Sequence, residues 1–372
     1  MLTPSTAAYA TVFAVAFGVT LVLTPVAGWL ARRLGALAQP DERRVHKVPT
    51  PYFGGLAMLL GFGVALLVAS RMDAFGAVFS APRACIGVGL GAAIACAVGT
   101  VDDVRPVSPP AKMSGLVLAG CALYLFGASM VILPLPFGDS DVLLGPDMAP
   151  LVTVIWVLVM ANATNFIDGL DGLAAGIVAI AAGAFFLYGY RVAGVDVIRP
   201  DNPSPLLAVI VVGICIGFLP YNFHPARIFM GDGGALMLGV LMAGSTMLVG
   251  GQSPNQFSGR VFFFYLPLIP IVIMGVPILD TLWAIIRRAR KGTSPAHADK
   301  DHLHHRLMRL GHGQRRTVLI LWAWTGLLSA FVLFPVYTRK LDAFVPIGLA
   351  ALGLILYIYL HPGVRRTRDV EG

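Results

Sequence analysis

The stretch Asn162-Ala-Thr-Asn165-Phe-Ile-Asp168-Gly-Leu-Asp171-Gly172 ends an apolar run that begins near residue 150, so two amides and two carboxylates stand where a hydrocarbon-spanning helix should reach water. If the run is helical, Asn162, Asn165 and Asp168 at successive i, i+3 steps form one slowly drifting polar stripe. Gly169 and Gly172 then leave the chain free to bend. A polar stripe at a membrane surface calls for partners from elsewhere in the chain.

The rest of the sequence explains why a membrane is the right setting. Of 372 residues, 57% are hydrophobic and 12% charged, with a mean hydropathy of +0.79, which leaves too little polar surface to cover a soluble globule. Apolar spans recur along the whole length, so the first reads as a retained helix rather than a cleaved signal, and no separate soluble domain is expected. Cys85, Cys96, Cys121 and Cys215 all lie inside apolar spans and read as small packing residues, not disulfides or zinc ligands.

The expected architecture is an all-α polytopic membrane protein with about eleven transmembrane helices, at 7–31, 54–70, 83–101, 113–133, 150–165, 172–190, 205–221, 234–250, 261–286, 317–336 and 343–361. With the N-terminus outside, the inner segments hold 20 Lys and Arg residues and the outer ones 7, so the positive-inside rule puts the C-terminus in the cytoplasm. The net charge of +8 is thereby read as topology, and nucleic acid is not an expected partner. The single integral membrane domain, 1–372, presents cytoplasmic loops at about 32–53, 102–112, 165–172, 222–233 and 287–316. No internal repeat is visible, which weakens the reading of an ion-coupled membrane transporter built from inverted halves.

Those inner segments carry the chemistry. Asp102 and Asp103 close an apolar run, and adjacent like charges repel unless a cation sits between them. Phe229-Met-Gly-Asp232-Gly-Gly precedes a helix, where Asp232 serves equally as an N-cap or as a hard oxygen ligand beside bare amides suited to phosphate. An aspartate-rich, cysteine-poor set points to Mg²⁺ or Mn²⁺ rather than zinc. His302, His304 and His305 beside Arg306 match no common zinc spacing and suit diphosphate oxygens as cationic donors. The first inner loop adds Arg43, Arg44 and Lys47, and Lys47 can meet either anionic headgroups or an anionic lipid substrate.

In order, spacing and topology, these motifs resemble the polyprenyl-phosphate N-acetylhexosamine-1-phosphate transferase superfamily over essentially the whole chain. Asp102-Asp103 with Lys112 looks like its Asp-Asp loop, Asn162 to Gly172 like its Asn-x-x-Asn-x-x-Asp-Gly-x-Asp-Gly motif, Phe229 to Gly233 like its Phe-x-Gly-Asp turn, and His302-Leu-His304-His305 like its histidine loop. The resemblance implies transfer of a sugar 1-phosphate, GlcNAc-1-phosphate before others, from a UDP-sugar to undecaprenyl or decaprenyl phosphate at the cytoplasmic face of the bacterial plasma membrane, with release of UMP. It further implies Asp102 and Asp103 as catalytic carboxylates, Asp232 and Asp168 as Mg²⁺ ligands, and a homodimer. Substrate binding would fall to Asn162, Asn165, Asp171, Phe229, Lys112, His302, His304, His305, Arg306 and Lys47. The broken histidine triplet resembles the GlcNAc-1-phosphate transferases that begin O-antigen, teichoic acid or arabinogalactan linker synthesis more than the phospho-MurNAc-pentapeptide transferases of peptidoglycan synthesis.

Overall fold

The structure, a computed structural model, describes residues 4–39, 48–133, 142–193, 199–250, 275, 286, 307–338 and 344–360. Its helices are α1 (Thr6–Leu34), α2 (Gly54–Ala69), the short α3 (Gly76–Ser80), α4 (Arg83–Val104), α5 (Pro109–Leu125), α6 (Met148–Ile167), α7 (Leu173–Ala193), α8 (Ser204–Asn222), α9 (Gly231–Gly250), α10 (Gln314–Thr338) and α11 (Phe344–Leu360). Among the described residues, seven helices are long and apolar enough to cross a bilayer, or eight if the bent pair Gly54–Ala69 and Asp73–Ser80 is one span. The chain is thus a helical polytopic membrane protein. The span expected over 261–286 lies outside the described residues, apart from Gly275 and Ile286, which are helical.

Three boundaries differ from expectation for local reasons. The apolar stretch 54–70 stops at Ala69, and the chain turns by 92° into the segment Asp73–Ser80. The helix expected at 113–133 starts at Pro109 and stops at Leu125: paired prolines suit a first turn, and Gly127, at φ 87°, closes the end. Its tail instead forms an antiparallel pair, β3 (Ile132–Leu133) with β4 (Val142–Leu143), matching the equally short β1 (Leu37–Ala38) and β2 (Thr50–Pro51). Finally, α4 runs on to Val104, so Asp102 and Asp103 occupy a last helical turn and not a loop.

The centre of the bundle is α9, whose apolar window is 94% buried, against 28% for α1 at the periphery. Helices α2, α4, α6 and α8 surround α9, while α1 packs on α2 and α8, and α7 bridges α8 to α10. Lipid offers apolar side chains no reason to prefer protein, so close approach through small residues does the sorting. A Cβ on Gly99 of α4 would collide with the backbone of Asp232 and Gly233. That close approach brings the last turn of α4 against the first turn of α9. Cys85, Cys96 and Cys215 are buried free thiols and Cys121 is half-buried, in keeping with packing roles.

Candidate active site

The apolar run of α6 continues to Ile167, so Asn162 and Asn165 are helical and Asp168 takes the C-cap position. From there the polar stripe divides. Asn162 turns its amide back to the carbonyl of Leu158, 2.8 Å away, and also meets the sulfur of Met113 on α5 at 3.9 Å, away from the carboxylates. Asn165 reaches across instead, its Nδ2 donating to Oδ1 of Asp232 at 2.9 Å.

Asp232 lies in the first turn of α9, where positive-φ Gly231 lets the chain enter the helix against Asp103. The backbone amide of Asp232 donates to Asp103 Oδ1 at 2.9 Å and that of Gly233 to Oδ2 at 3.3 Å. Asp103 therefore caps α9 from a neighbouring helix, satisfying orphan donors with the charge a helix N-terminus prefers. Its partner Asp102 faces the other way. Asp102 Oδ1 accepts from the amide of Val107 at 2.7 Å, and Oδ2 accepts from Lys112 Nζ at 2.9 Å. The same ammonium also pairs with Oδ2 of Asp232.

Four elements thus bring Asp102, Lys112, Asn165 and Asp232 into one hydrogen-bonded group. Exposure follows function in this group. The side chains of Asp102 and Lys112 are 18% and 19% exposed, and that of Asp232 is 34%, so the group meets solvent through Asp232. Half-buried Asp168 sits behind it; burial, then the carboxylates of Asp232, Asp103 and Asp171, hold its carboxyl well above the usual range.

The loop that leads into Asp232 is anchored as firmly as its end. Amides of Gly54 and Gly55, at the start of α2, donate to the carbonyls of Phe229 and Met230, both at 3.0 Å, and the amide of Phe229 donates to Pro51 at 2.9 Å. Gly54 is required here, because a Cβ would stand 2.7 Å from the Phe229 oxygen. Phe53 adopts φ 77° to deliver those amides, a conformation that L side chains rarely hold without compensation. The Phe229 ring is half-buried, 6.3 Å from that of Tyr52.

Upstream, Asp171 Oδ2 pairs with His224 Nδ1 at 2.7 Å and accepts from the amide of Ala226 at 3.1 Å. Buried Asn222 accepts from the amide of Gly172 at 3.0 Å and donates to the carbonyl of Ile228 at 3.1 Å. Neither Asn222 nor His224 stands out in the sequence; the available signal is an amide ending the otherwise apolar run of α8. Lys47, His302, His304, His305 and Arg306 lie outside the described residues.

The donor set suits a hard divalent cation. Among the described residues no group of three or more His, Cys, Asp or Glu side chains could by itself hold a metal ion. Asp102 and Asp232 converge on a single ammonium, which marks a place where the two carboxylates need positive charge. Mg²⁺ is usually held by one or two carboxylates with waters and phosphate completing its shell, and Asp232 with its electrostatic neighbour Asp168 could serve so.

Residues 85–250, which contain every member of this group, match the family described as glycosyl transferase family 4. Over 354 residues the chain is 38% identical to a decaprenyl-phosphate N-acetylglucosaminephosphotransferase of Mycolicibacterium smegmatis, covering 92% of this chain and 86% of the relative. Its counterpart in Mycobacterium tuberculosis is 37% identical over 358 residues, covering 94% and 88%. A phospho-N-acetylmuramoyl-pentapeptide-transferase of Anoxybacillus flavithermus is 30% identical over 334 residues, covering 85% and 94%. On the strength of these whole-length matches, the chain belongs to the polyprenyl-phosphate N-acetylhexosamine-1-phosphate transferase superfamily.

Proposed function

We propose that this protein transfers GlcNAc-1-phosphate from UDP-GlcNAc to a polyprenyl phosphate, releasing UMP and forming a polyprenyl diphosphate-GlcNAc that begins a cell-envelope glycan. The observation that carries this reading is the convergence of Asp102, Lys112, Asn165 and Asp232 at one end of the helix bundle. A phosphate on a membrane-embedded lipid can be met only near headgroup level, and a charged nucleotide only from water, so the reaction needs a polar group at helix ends. A transporter would place its acids nearer the bilayer midplane.

In the reaction an oxygen of the lipid phosphate attacks the sugar-bearing phosphorus of the diphosphate. One P–O bond forms, and the bond to the bridging oxygen breaks as UMP leaves with it. Such transfers depend on positioning and charge neutralisation more than on covalent help from the protein. Asp102, fixed by Val107 and Lys112, orients the attacking phosphate or holds its proton. Lys112 offers an ammonium to the phosphate oxygens, and Asn165 holds the Asp232 carboxylate at a fixed angle. Mg²⁺ bound through Asp232 and Asp168 would neutralise charge on the diphosphate.

The same reading places eleven spans in the plasma membrane, N-terminus outside and site on the cytoplasmic face, supported by the excess of Lys and Arg in the segments flanking the site. Purified protein should release UMP from UDP-GlcNAc and undecaprenyl phosphate in a Mg²⁺-dependent manner. Asp102→Asn and Asp232→Asn should each lower that rate by roughly a thousandfold, the order found when a transition-state electrostatic partner is lost. Full activity of both variants, or reaction with only the muramoyl-pentapeptide nucleotide in a panel of UDP-sugars, would overturn the reading.

A further inference from the structure

The resemblance counts Asp171 among the substrate-binding residues, yet its Oδ2 is directed elsewhere. The side chain is only 12% exposed, and Oδ2 already accepts from the His224 ring and from the Ala226 amide. A ligand of a soluble nucleotide has to offer its oxygens to water before the nucleotide arrives. Asp171 commits Oδ2 twice over to the loop between α8 and α9.

That loop is short and consequential. Only five residues separate Ala226 from Asp232, so a displacement at Ala226 is passed to the carboxylate with little slack. The turn between α6 and α7 holds this loop at three places: Asp171 on His224 and Ala226, and Gly172 through Asn222, whose other end holds Ile228. From the far side Arg315, at the start of α10, donates its Nε to the carbonyl of His224 at 3.1 Å. An ionised carboxylate only accepts, so the His224 ring carries its proton on Nδ1 in this pair. The ring is thereby fixed in orientation as well as place.

We infer that Asp171 and His224 are a positioning pair for the phosphoryl transfer proposed above, holding the loop so that Asp232 stays within reach of Asn165 and Lys112, and that Asp171 is not a nucleotide ligand. The inference rests on that reading of the reaction. It assigns to the last aspartate of the motif a task different from that of Asn165, six residues before it.

A double-mutant cycle tests it on the full-length enzyme. Asp171→Ala should lower kcat roughly 10- to 100-fold while KM for UDP-GlcNAc stays within about threefold, since a misplacement of order 1 Å costs that much without touching ground-state binding. His224→Ala should do the same more weakly, and the double variant should be no worse than Asp171→Ala, because one contact cannot be lost twice. Asp171→Asn should recover most of the rate, its Oδ1 still accepting from both donors. If Asp171→Ala does not accumulate as folded protein, Asp171→Asn combined with His224→Ala carries the same comparison.

A tenfold rise in KM at retained kcat, or additive losses in the double variant, would make Asp171 a substrate ligand and end the proposal. Loss of melting temperature with unchanged kcat would reduce the pair to a stabilising contact and end it equally. Should unmodified protein release no UMP, the reading of the reaction fails. The pair is then judged by Mn²⁺ affinity alone, which both single variants should weaken several-fold by displacing Asp232; unaltered affinity would refute it.

Discussion

The two ends of the bundle invite the same first glance and reward it differently. At the end away from the carboxylates, a cavity of about 390 Å³ is lined by Arg83, Tyr124, Arg199, Asp201, Asn202 and Leu248, among others. There Arg199 holds Asp201, two positions along the chain, at 3.0 and 3.1 Å, with its own side chain 77% exposed. At the other end the partners are 67, 120 and 129 residues apart: Asn165, Lys112 and Asp103, all on Asp232 or its amide. A contact between neighbours forms wherever the chain happens to bend, whereas contacts over such separations require the whole fold. The cavity beside Arg199 is therefore the weaker candidate for chemistry.

The sharpest way to break this contrast is to disturb the fold where it delivers Asp232. Gly99→Ala inserts a Cβ into the backbone of Asp232 and Gly233, whereas Gly18→Ala on α1 meets nothing within 4 Å. Gly99→Ala should lower UMP release by a hundredfold or more, on the order expected for a shift of about 1 Å in a reacting group. Gly18→Ala should stay within about twofold. Equal activity of the two variants would mean that close approach of α4 to α9 does not set the site.

A middle-sized effect is expected at Lys112. Its ammonium neutralises Asp102 and Asp232 together, beside the carboxylate proposed above to hold the metal. Lys112→Met leaves those carboxylates to repel each other, so Mn²⁺ binding in the absence of substrate should tighten roughly tenfold or more, the order expected for removing one unit charge a few ångströms away. Activity should fall nonetheless, because the phosphates lose a cationic donor. Unchanged or weaker Mn²⁺ binding would separate the lysine from the metal's place and leave it a substrate contact only.

How much of this could be read in advance differs between the ends too. Apolar run lengths gave nearly every helix start within a few residues, since one-dimensional length against bilayer thickness is a sequence property. The motif residues Asp102, Asn165, Lys112 and Asp232 were legible because polar groups at the ends of apolar runs need a reason. What the residues could not disclose was which of two adjacent carboxylates faces which neighbour. Asp102 and Asp103 differ by 100° around α4, so one meets Lys112 and the other caps α9, and which does which follows from how α4 packs on α9 through Gly99. The resemblance groups Asp171 with the substrate-binding residues, and nothing in the sequence points to its partner His224, which is 53 positions away and follows no periodicity. The early end of α5 is likewise hidden, being a turn in an apolar stretch with no charge to mark it.

The smallest expected effect closes the comparison. Arg199→Ala removes the guanidinium from the opposite cavity together with its pairing to the Asp201 carboxylate. An ion pair this exposed is worth at most about 1 kcal/mol and is further weakened by salt. The contact also spans two residues, so its loss leaves helix packing untouched, and Asn202 still ties the segment to the carbonyl of Leu248 at 2.6 Å. UMP release should remain within about twofold of the unmodified protein, and Mn²⁺ affinity should not move. A loss of tenfold or more would mean that the two ends communicate through the bundle, most directly along α9, which runs from Asp232 to Leu248 and touches both. In that event the cavity would have to be counted as part of the machinery despite its local wiring.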